Sequence, residues 1–252
     1  MTDFEDDYNQ DYSDTYYKPD DSNDDVRYES EDILGDTLDE TLDDDEPRQK
    51  YRAGGTDPAF GYVLAIALSV GLIPLLPDNA DMRYTIAWAV LALVSVLGWL
   101  LGNTDRIQQE QPENIVWGIT FGIMVSVPFV IFFIDQFRGA SALMFPEFGS
   151  GTVLAYLVFV MPLAETLFFR GSMQKRLDFW VVGALAGLWN VILFFPVMWD
   201  VLLEVVFVAI FLAIALFALN MMYSYVRERN GLAAAWICQI TASLILFFFP
   251  YL

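Results

Sequence analysis

The chain has 252 residues, of which 56% are hydrophobic, and it carries a formal net charge of −20 with no histidine and a single cysteine. A charge of that size and sign excludes nucleic acid and anionic lipid surfaces as electrostatic partners, since both would repel the chain. The lone Cys238 excludes an intrachain disulfide and a cysteine-based metal site, and we expect neither a metal nor a cofactor.

Residues 1–57 form a distinct acidic segment. They contain 21 of the 33 acidic residues but only five of the 13 basic ones. Their few apolar side chains are isolated among acids, so burial cannot offset the entropy of ordering them. We predict a disordered acidic tail at residues 1–57, acting as a solvated leader or as an electrostatic arm for a basic partner. A transmembrane helical domain should follow at residues 58–252.

Seven apolar stretches follow the tail, each close to the roughly 20 residues that a membrane-spanning helix needs. Glu165 and Glu204 are the charged residues within them. The sequence therefore predicts an all-α, polytopic membrane helix bundle of about seven transmembrane helices, with membrane lipids as its surroundings. The predicted spans are Pro58–Pro77, Tyr84–Thr104, Asn114–Ile134, Phe148–Phe169, Phe179–Trp199, Val201–Val226 and Asn230–Leu252.

Lysines and arginines near the span ends distinguish the two sides of the membrane. With the N-terminus in the cytoplasm, the cytoplasmic segments hold nine of these basic residues and the outer segments hold two. Cytoplasmic loops carry an excess of Lys and Arg. We therefore predict a multi-pass protein of the cell membrane with a cytoplasmic N-terminus and a C-terminus at the outer face.

Glu165 lies inside the fourth predicted span, about a turn and a half from its cytoplasmic end. A charged group in hydrocarbon is costly, so this carboxyl must be protonated, face a wet cavity or meet a donor from another helix. Arg170 lies about 140° further around a regular α-helix, so we expect no same-face pair. We expect Arg170 to snorkel towards water, as arginines at helix ends normally do.

Uncharged polar residues recur in the later spans, where hydrogen bonding between helices is their ordinary explanation. Gln239 and Ser243 are four residues apart and share a helix face, so together they can line one cavity. The set comprises Asn190, Asn220, Gln239, Thr241 and Ser243.

Residues 162–171 read Pro-Leu-Ala-Glu-Thr-Leu-Phe-Phe-Arg-Gly. This segment resembles the first motif, Glu-Glu-x-x-x-Arg, of the CPBP family of intramembrane endopeptidases, which includes the type 2 CAAX prenyl proteases and the bacterial Abi proteins. Glu165 stands at the first Glu and Arg170 at the Arg, whereas Thr166 replaces the second Glu. The resemblance covers a CPBP-like core of about residues 150–250.

The two later motifs of the family are eroded in this chain. The second motif, Phe-x-x-x-His, places Asn190 at the Phe position and Phe194 at the His position. The third motif, His-x-x-x-Asn, places Gln239 at the His position and Ser243 at the Asn position. The loss of histidine does not depend on this alignment, because the chain contains none.

The resemblance implies peptide hydrolysis by a water molecule that Glu165 activates, with neighbouring side chains stabilising the oxyanion. The candidate catalytic residues are therefore Glu165 as the base, with Arg170, Gln239 and Ser243 around it. Gln239 and Ser243 can still donate hydrogen bonds, but Phe194 offers none where the family has histidine. The implied chemistry is incomplete.

Three hypotheses follow. We favour a catalytically impaired or inactive relative of these proteases, a pseudoprotease that binds a membrane protein or peptide partner. The first alternative is a divergent but active protease that depends on Glu165, which cleavage of a membrane-anchored reporter would indicate. The second is a small membrane transporter, which solute flux in liposomes would indicate.

Overall fold

The computed structural model describes residues 57–77, 79–102, 112–199 and 206–252. Within these residues it contains seven helices that are long and apolar enough to cross a membrane, and no strand. The predicted all-α polytopic bundle is thus confirmed, while the predicted tail lies outside the described residues except for Asp57. The helices are α1 Pro58–Leu75, α2 Ala80–Gly102, α3 Pro112–Met144, α4 Ser150–Lys175, α5 Phe179–Val197, α6 Val206–Asn230 and α7 Leu232–Tyr251.

Local sequence explains where α1 and α7 begin. The Asp57 carboxylate accepts a hydrogen bond from the Ala59 backbone N–H at 3.0 Å, and Pro58 occupies the first turn, where a missing N–H costs nothing. Gly231, between α6 and α7, has a φ of 91°. That left-handed backbone favours glycine and leaves a single residue between the end of α6 and the start of α7.

Helix α3 is longer than the sequence predicted. It has 33 residues and continues past Ile134, the predicted end of the span, to Met144. At 1.5 Å per residue the 21 residues before Phe133 extend about 32 Å, close to the roughly 30 Å that the hydrocarbon core requires. Non-helical backbone at Phe133 divides the helix near the point where Asp135 and Arg138 begin a charged extension.

Helix α3 packs closely on α7 through small residues. A side-chain carbon added at Gly118 would lie 2.5 Å from the Ala234 carbonyl oxygen, and one added at Gly122 would lie 2.7 Å from Thr241 Cβ. These glycines are four residues apart, the small-xxx-small spacing by which membrane helices approach.

The α5 and α6 pair uses the same device. A side-chain carbon at Gly183 would lie 2.8 Å from Met221 Cα, and one at Gly187 would lie 2.9 Å from Phe217 Cα. Because van der Waals packing replaces the hydrophobic effect between helices in lipid, these close approaches help to hold the bundle together.

Helix α4 is the most buried of the seven spans. Its hydrogen bonding widens to π-helical turns over Tyr156–Val160 and Thr166–Ser172. Such turns inside an α-helix often occur at functional sites. The second π-helical segment begins directly after Glu165, so the side chains that follow point in directions that a regular α-helix would not give them.

Candidate functional site

Glu165 lies at the centre of the bundle, with only 1% of its surface exposed. Three uncharged donors from three other helices reach its carboxyl group. Trp88 Nε1 of α2 and Asn190 Nδ2 of α5 donate to Oε1 at 3.2 and 3.3 Å, and Gln239 Nε2 of α7 donates to Oε2 at 2.7 Å. Of the options that the sequence left open, the structure shows a carboxyl group met by donors from neighbouring helices.

The orientation of the Gln239 amide is fixed by a second hydrogen bond. Thr166 Oγ1 donates to Gln239 Oε1 at 3.3 Å, which leaves the Gln239 amino group to face Glu165. Thr166 stands where the CPBP motif has its second glutamate. In this chain Thr166 supplies no second acid and instead orients Gln239, the donor that lies closest to Glu165.

Arg170 does not snorkel towards water as predicted, because its side chain is 0% exposed. Its Nη2 donates to Asn220 Oδ1 on α6 at 2.6 Å, and its guanidinium lies 5.8 and 5.4 Å from the ring centroids of Phe169 and Tyr223. The physical reason is that an amide acceptor and two aromatic faces stabilise the buried cation in place of water. Its Nε and Nη1 have no hydrogen-bond partner within the described residues.

Glu165 takes its hydrogen bonds from uncharged groups, and Arg170 donates to Asn220 instead. Asn220 in turn donates its Nδ2 to the Leu216 carbonyl at 2.9 Å, which orients its oxygen towards Arg170. Arg227 Nε donates to the Arg170 carbonyl at 3.0 Å and ties this end of α4 to α6 again. Arg170 therefore anchors α4 on α6, while Glu165 anchors it on α2, α5 and α7.

A small cavity, which we term the Glu165 cavity, adjoins the carboxyl group. Its volume is about 20 Å³, and a volume of roughly 10–15 Å³ admits one water molecule. The polar residues that line it are Glu165, Asn190, Asn220, Tyr223, Gln239 and Ser243, and the rest of its wall is apolar. The cavity accommodates a water molecule but not a peptide.

The structure therefore brings three of the four predicted site residues to one cavity. Glu165, Gln239 and Ser243 line it, whereas Arg170 lies behind it and connects to it through Asn220. Ser243 Oγ makes no hydrogen bond of standard geometry within the described residues, although the Tyr223 side chain faces it. Gln239 and Ser243, which share a face of α7, thus line one cavity, as their spacing predicted.

Phe194 also lines the cavity, at the position where the resemblance expects histidine. Its ring centroid lies 6.0 Å from that of Trp88 and 5.5 Å from that of Tyr84. An aromatic cluster thus occupies the place of an imidazole. This packing makes the cavity wall at Phe194 apolar.

Trp88 and Tyr223 are site residues that the sequence did not reveal, and of the two Trp88 contacts Glu165 directly. It is fully buried on α2, outside the segment that resembles the protease family. One signal was present: a buried indole N–H needs a hydrogen-bond acceptor, and the centre of a membrane offers few. That signal alone does not identify Glu165 as the acceptor.

The described residues contain no group of three or more His, Cys, Asp or Glu side chains that could hold a metal ion. A comparison of the chain with protein-family models, with curated proteins and with solved structures finds no match.

Proposed function

We propose that this integral membrane protein is a non-catalytic relative of the CPBP intramembrane endopeptidases, and that it binds a membrane protein or peptide partner. The observation that carries the proposal is the state of Glu165. Its carboxyl group, which would be the base of the protease, accepts three hydrogen bonds from three other helices. The group acts as a structural anchor.

The geometry opposes water activation for two reasons. A carboxylate has about four acceptor positions, and three of them are already used by Trp88, Asn190 and Gln239. A general base must also lie beside a water molecule that faces a bound carbonyl group. The Glu165 cavity of about 20 Å³ leaves no room for that carbonyl group.

The oxyanion stabilisation of the family is also incomplete. Gln239 directs one N–H of its amino group at Glu165, so only the second N–H remains for a substrate oxygen. Loss of one oxyanion donor typically lowers the rate by about 100-fold to 1,000-fold. With Phe194 in place of histidine as well, the expected hydrolytic rate falls to background.

The partner binds on the outer surface of the bundle, because the Glu165 cavity is too small to receive it. The polar contacts of Glu165 and Arg170 support this role by fixing how α2, α5, α6 and α7 are arranged around α4. A buried charge in a membrane requires a reason of this kind. We expect the full chain to capture one membrane protein reproducibly. A Glu165→Leu variant, in which the helix arrangement is disturbed, should not capture that protein.

Basic residues support the proposed orientation, with the N-terminus in the cytoplasm and the C-terminus at the outer face. Lys175 ends α4, and Arg227 and Arg229 lie in the last turn of α6. Arg83 lies at the start of α2, and in the proposed orientation this end of α2 is on the outer side of the membrane. The excess at the ends of α4 and α6 matches the cytoplasmic enrichment of Lys and Arg.

The decisive experiment on catalysis uses a membrane-anchored reporter peptide reconstituted with the full chain. The proposal expects no cleavage above background and no difference between the wild type and Glu165→Gln. Glu113→Gln, at the exposed start of α3, provides a matched control. Cleavage by the wild type and by Glu113→Gln, but not by Glu165→Gln, would overturn the proposal in favour of an active protease.

A further inference from the structure

A second cavity lies outside the Glu165 site, between the turn that joins α4 to α5 and the end of α6. We term it the α4–α6 cavity. Its volume is about 470 Å³, large enough for a polar headgroup. Charged and polar residues line it together with the apolar side chains of Leu177, Phe179 and Trp180.

One part of the α4–α6 cavity is rich in hydrogen-bond acceptors. Gln174 Nε2 donates to both the Ser224 carbonyl at 2.8 Å and Glu228 Oε2 at 3.2 Å, so the orientation of its amide is fixed. Gln174 Oε1 is buried and has no hydrogen-bond partner within the described residues. A buried acceptor of this kind needs a donor, and a small ammonium group can provide one while also meeting the Glu228 and Asp178 carboxylates that line the cavity.

The cavity also presents cationic groups. Lys175 and Arg176 line it, so it holds two basic and two acidic side chains. Arg176 pairs with Asp57 at 3.8 Å, but both side chains are more than half exposed, and such a pair contributes little. Arg176 can therefore turn to a phosphate group, which Lys and Arg bind well.

The apolar residues that line the cavity indicate what the rest of the ligand is. Leu177 and Trp180 are 40% and 56% exposed, and both line the cavity. Tryptophan is enriched at the level of lipid headgroups, where its ring contacts both apolar and polar surroundings. A ligand with a polar end in the cavity and apolar chains beside these residues is a phospholipid.

We propose that the α4–α6 cavity binds the headgroup of phosphatidylethanolamine. Its phosphate lies against Lys175 and Arg176, and its ammonium group donates to Gln174 Oε1 and the Glu228 carboxylate. The headgroup of phosphatidylglycerol can also place its phosphate against Lys175 and Arg176, but it has no ammonium group to donate to Gln174 Oε1 and the Glu228 carboxylate. A choline headgroup carries a positive charge but has no N–H to donate.

The test is native mass spectrometry of the full chain in detergent, titrated with phospholipids of identical acyl chains. We expect phosphatidylethanolamine to bind roughly tenfold or more tightly than phosphatidylcholine or phosphatidylglycerol, because charge-assisted hydrogen bonds are lost with either. Equal binding of the three lipids, or preference for phosphatidylglycerol, would overturn the proposal. This comparison uses only the wild type, so it does not depend on a variant that folds.

Variants then locate the binding. Glu228→Gln should remove the preference for phosphatidylethanolamine over phosphatidylcholine, and Glu113→Gln, an exposed acid that does not line the cavity, should retain it. If both variants keep the preference, the α4–α6 cavity is not the site. Soluble phosphoethanolamine distinguishes the source of the headgroup: binding as tight as that of the lipid would contradict a lipid ligand, whereas binding at least tenfold weaker supports it.

Discussion

Glu165 shows how a carboxyl group is accommodated in the interior of a membrane bundle. An unpaired carboxylate in apolar surroundings would cost several kcal/mol or more, so its donors must remove that cost. Here Trp88, Asn190 and Gln239 share the task. Hydrogen bonds to charged groups contribute about 1.5–3 kcal/mol in proteins generally, whereas bonds between membrane helices average about 0.6 kcal/mol. We therefore expect about 1 kcal/mol for each donor.

Trp88→Phe tests one of these donors. It removes the indole N–H while an aromatic ring remains in the cluster, and we expect the free energy of unfolding in detergent to fall by about 1–2 kcal/mol. The matched control is Trp99→Phe on the same helix, where the side chain is 46% exposed and lies on the outer surface. A loss of equal size in both variants would show that ring volume, not the hydrogen bond, matters at position 88.

Sequence reasoning could identify Glu165 because a single charge within a long apolar run is unusual. It could not identify Trp88, because a tryptophan in a transmembrane span is equally consistent with apolar packing. It was also wrong about Arg170. The side chain is long enough to reach water from a helix end, and only the three-dimensional arrangement shows that Asn220 and two rings hold it inside.

At the scale of the helices, the apolar length of each span predicted that seven exist. The backbone geometry within each helix could not be predicted in the same way. The backbone of α3 breaks at Phe133, close to the predicted end of the span, and then returns to helix through a charged segment that apolar length does not predict. The π-helical turns of α4 have no sequence signature, because they depend on which neighbouring helices meet its side chains. The angle of about 140° predicted between Glu165 and Arg170 assumed a regular α-helix, but the residues between them form π-helical turns.

Gly187→Ala tests the close approach of α5 and α6. The added methyl group would lie 2.9 Å from the Phe217 Cα, so the helices must separate, and we expect a loss of about 1–3 kcal/mol in the free energy of unfolding. Gly98→Ala on α2 is the control, because its added carbon would meet nothing within 4 Å. Alanine there should be neutral or should stabilise the helix by about 0.5–1 kcal/mol. Equal stability of the two variants would contradict the packing account.

At the scale of the whole molecule, the proposed orientation places the two ends of α4 on opposite sides of the membrane. At 1.5 Å per residue its 26 residues extend about 39 Å, enough to cross the hydrocarbon core. Glu147 precedes the helix and Asp178 follows it, and both side chains are exposed. They therefore provide one reporter for each side.

Single cysteines at these two positions, in a Cys238→Ala background, test the orientation. In intact cells, a membrane-impermeant thiol reagent should modify Glu147→Cys, because the start of α4 faces the outside. Asp178→Cys should react only after the membrane is opened. The reverse pattern would mean that the N-terminus is outside, and modification of both cysteines in intact cells would mean that α4 does not cross the membrane.

Glu165 joins four helices of the bundle through its hydrogen bonds. A double-mutant cycle between Glu165 and Gln239 tests it most directly, because the 2.7 Å bond between them is the shortest that the carboxyl group makes. Methionine at each position keeps a similar side-chain length and removes the polar groups. We predict that Glu165→Met and Gln239→Met together destabilise the protein by about 1–2 kcal/mol less than the sum of the single changes. Effects that add to within about 0.5 kcal/mol would contradict the account.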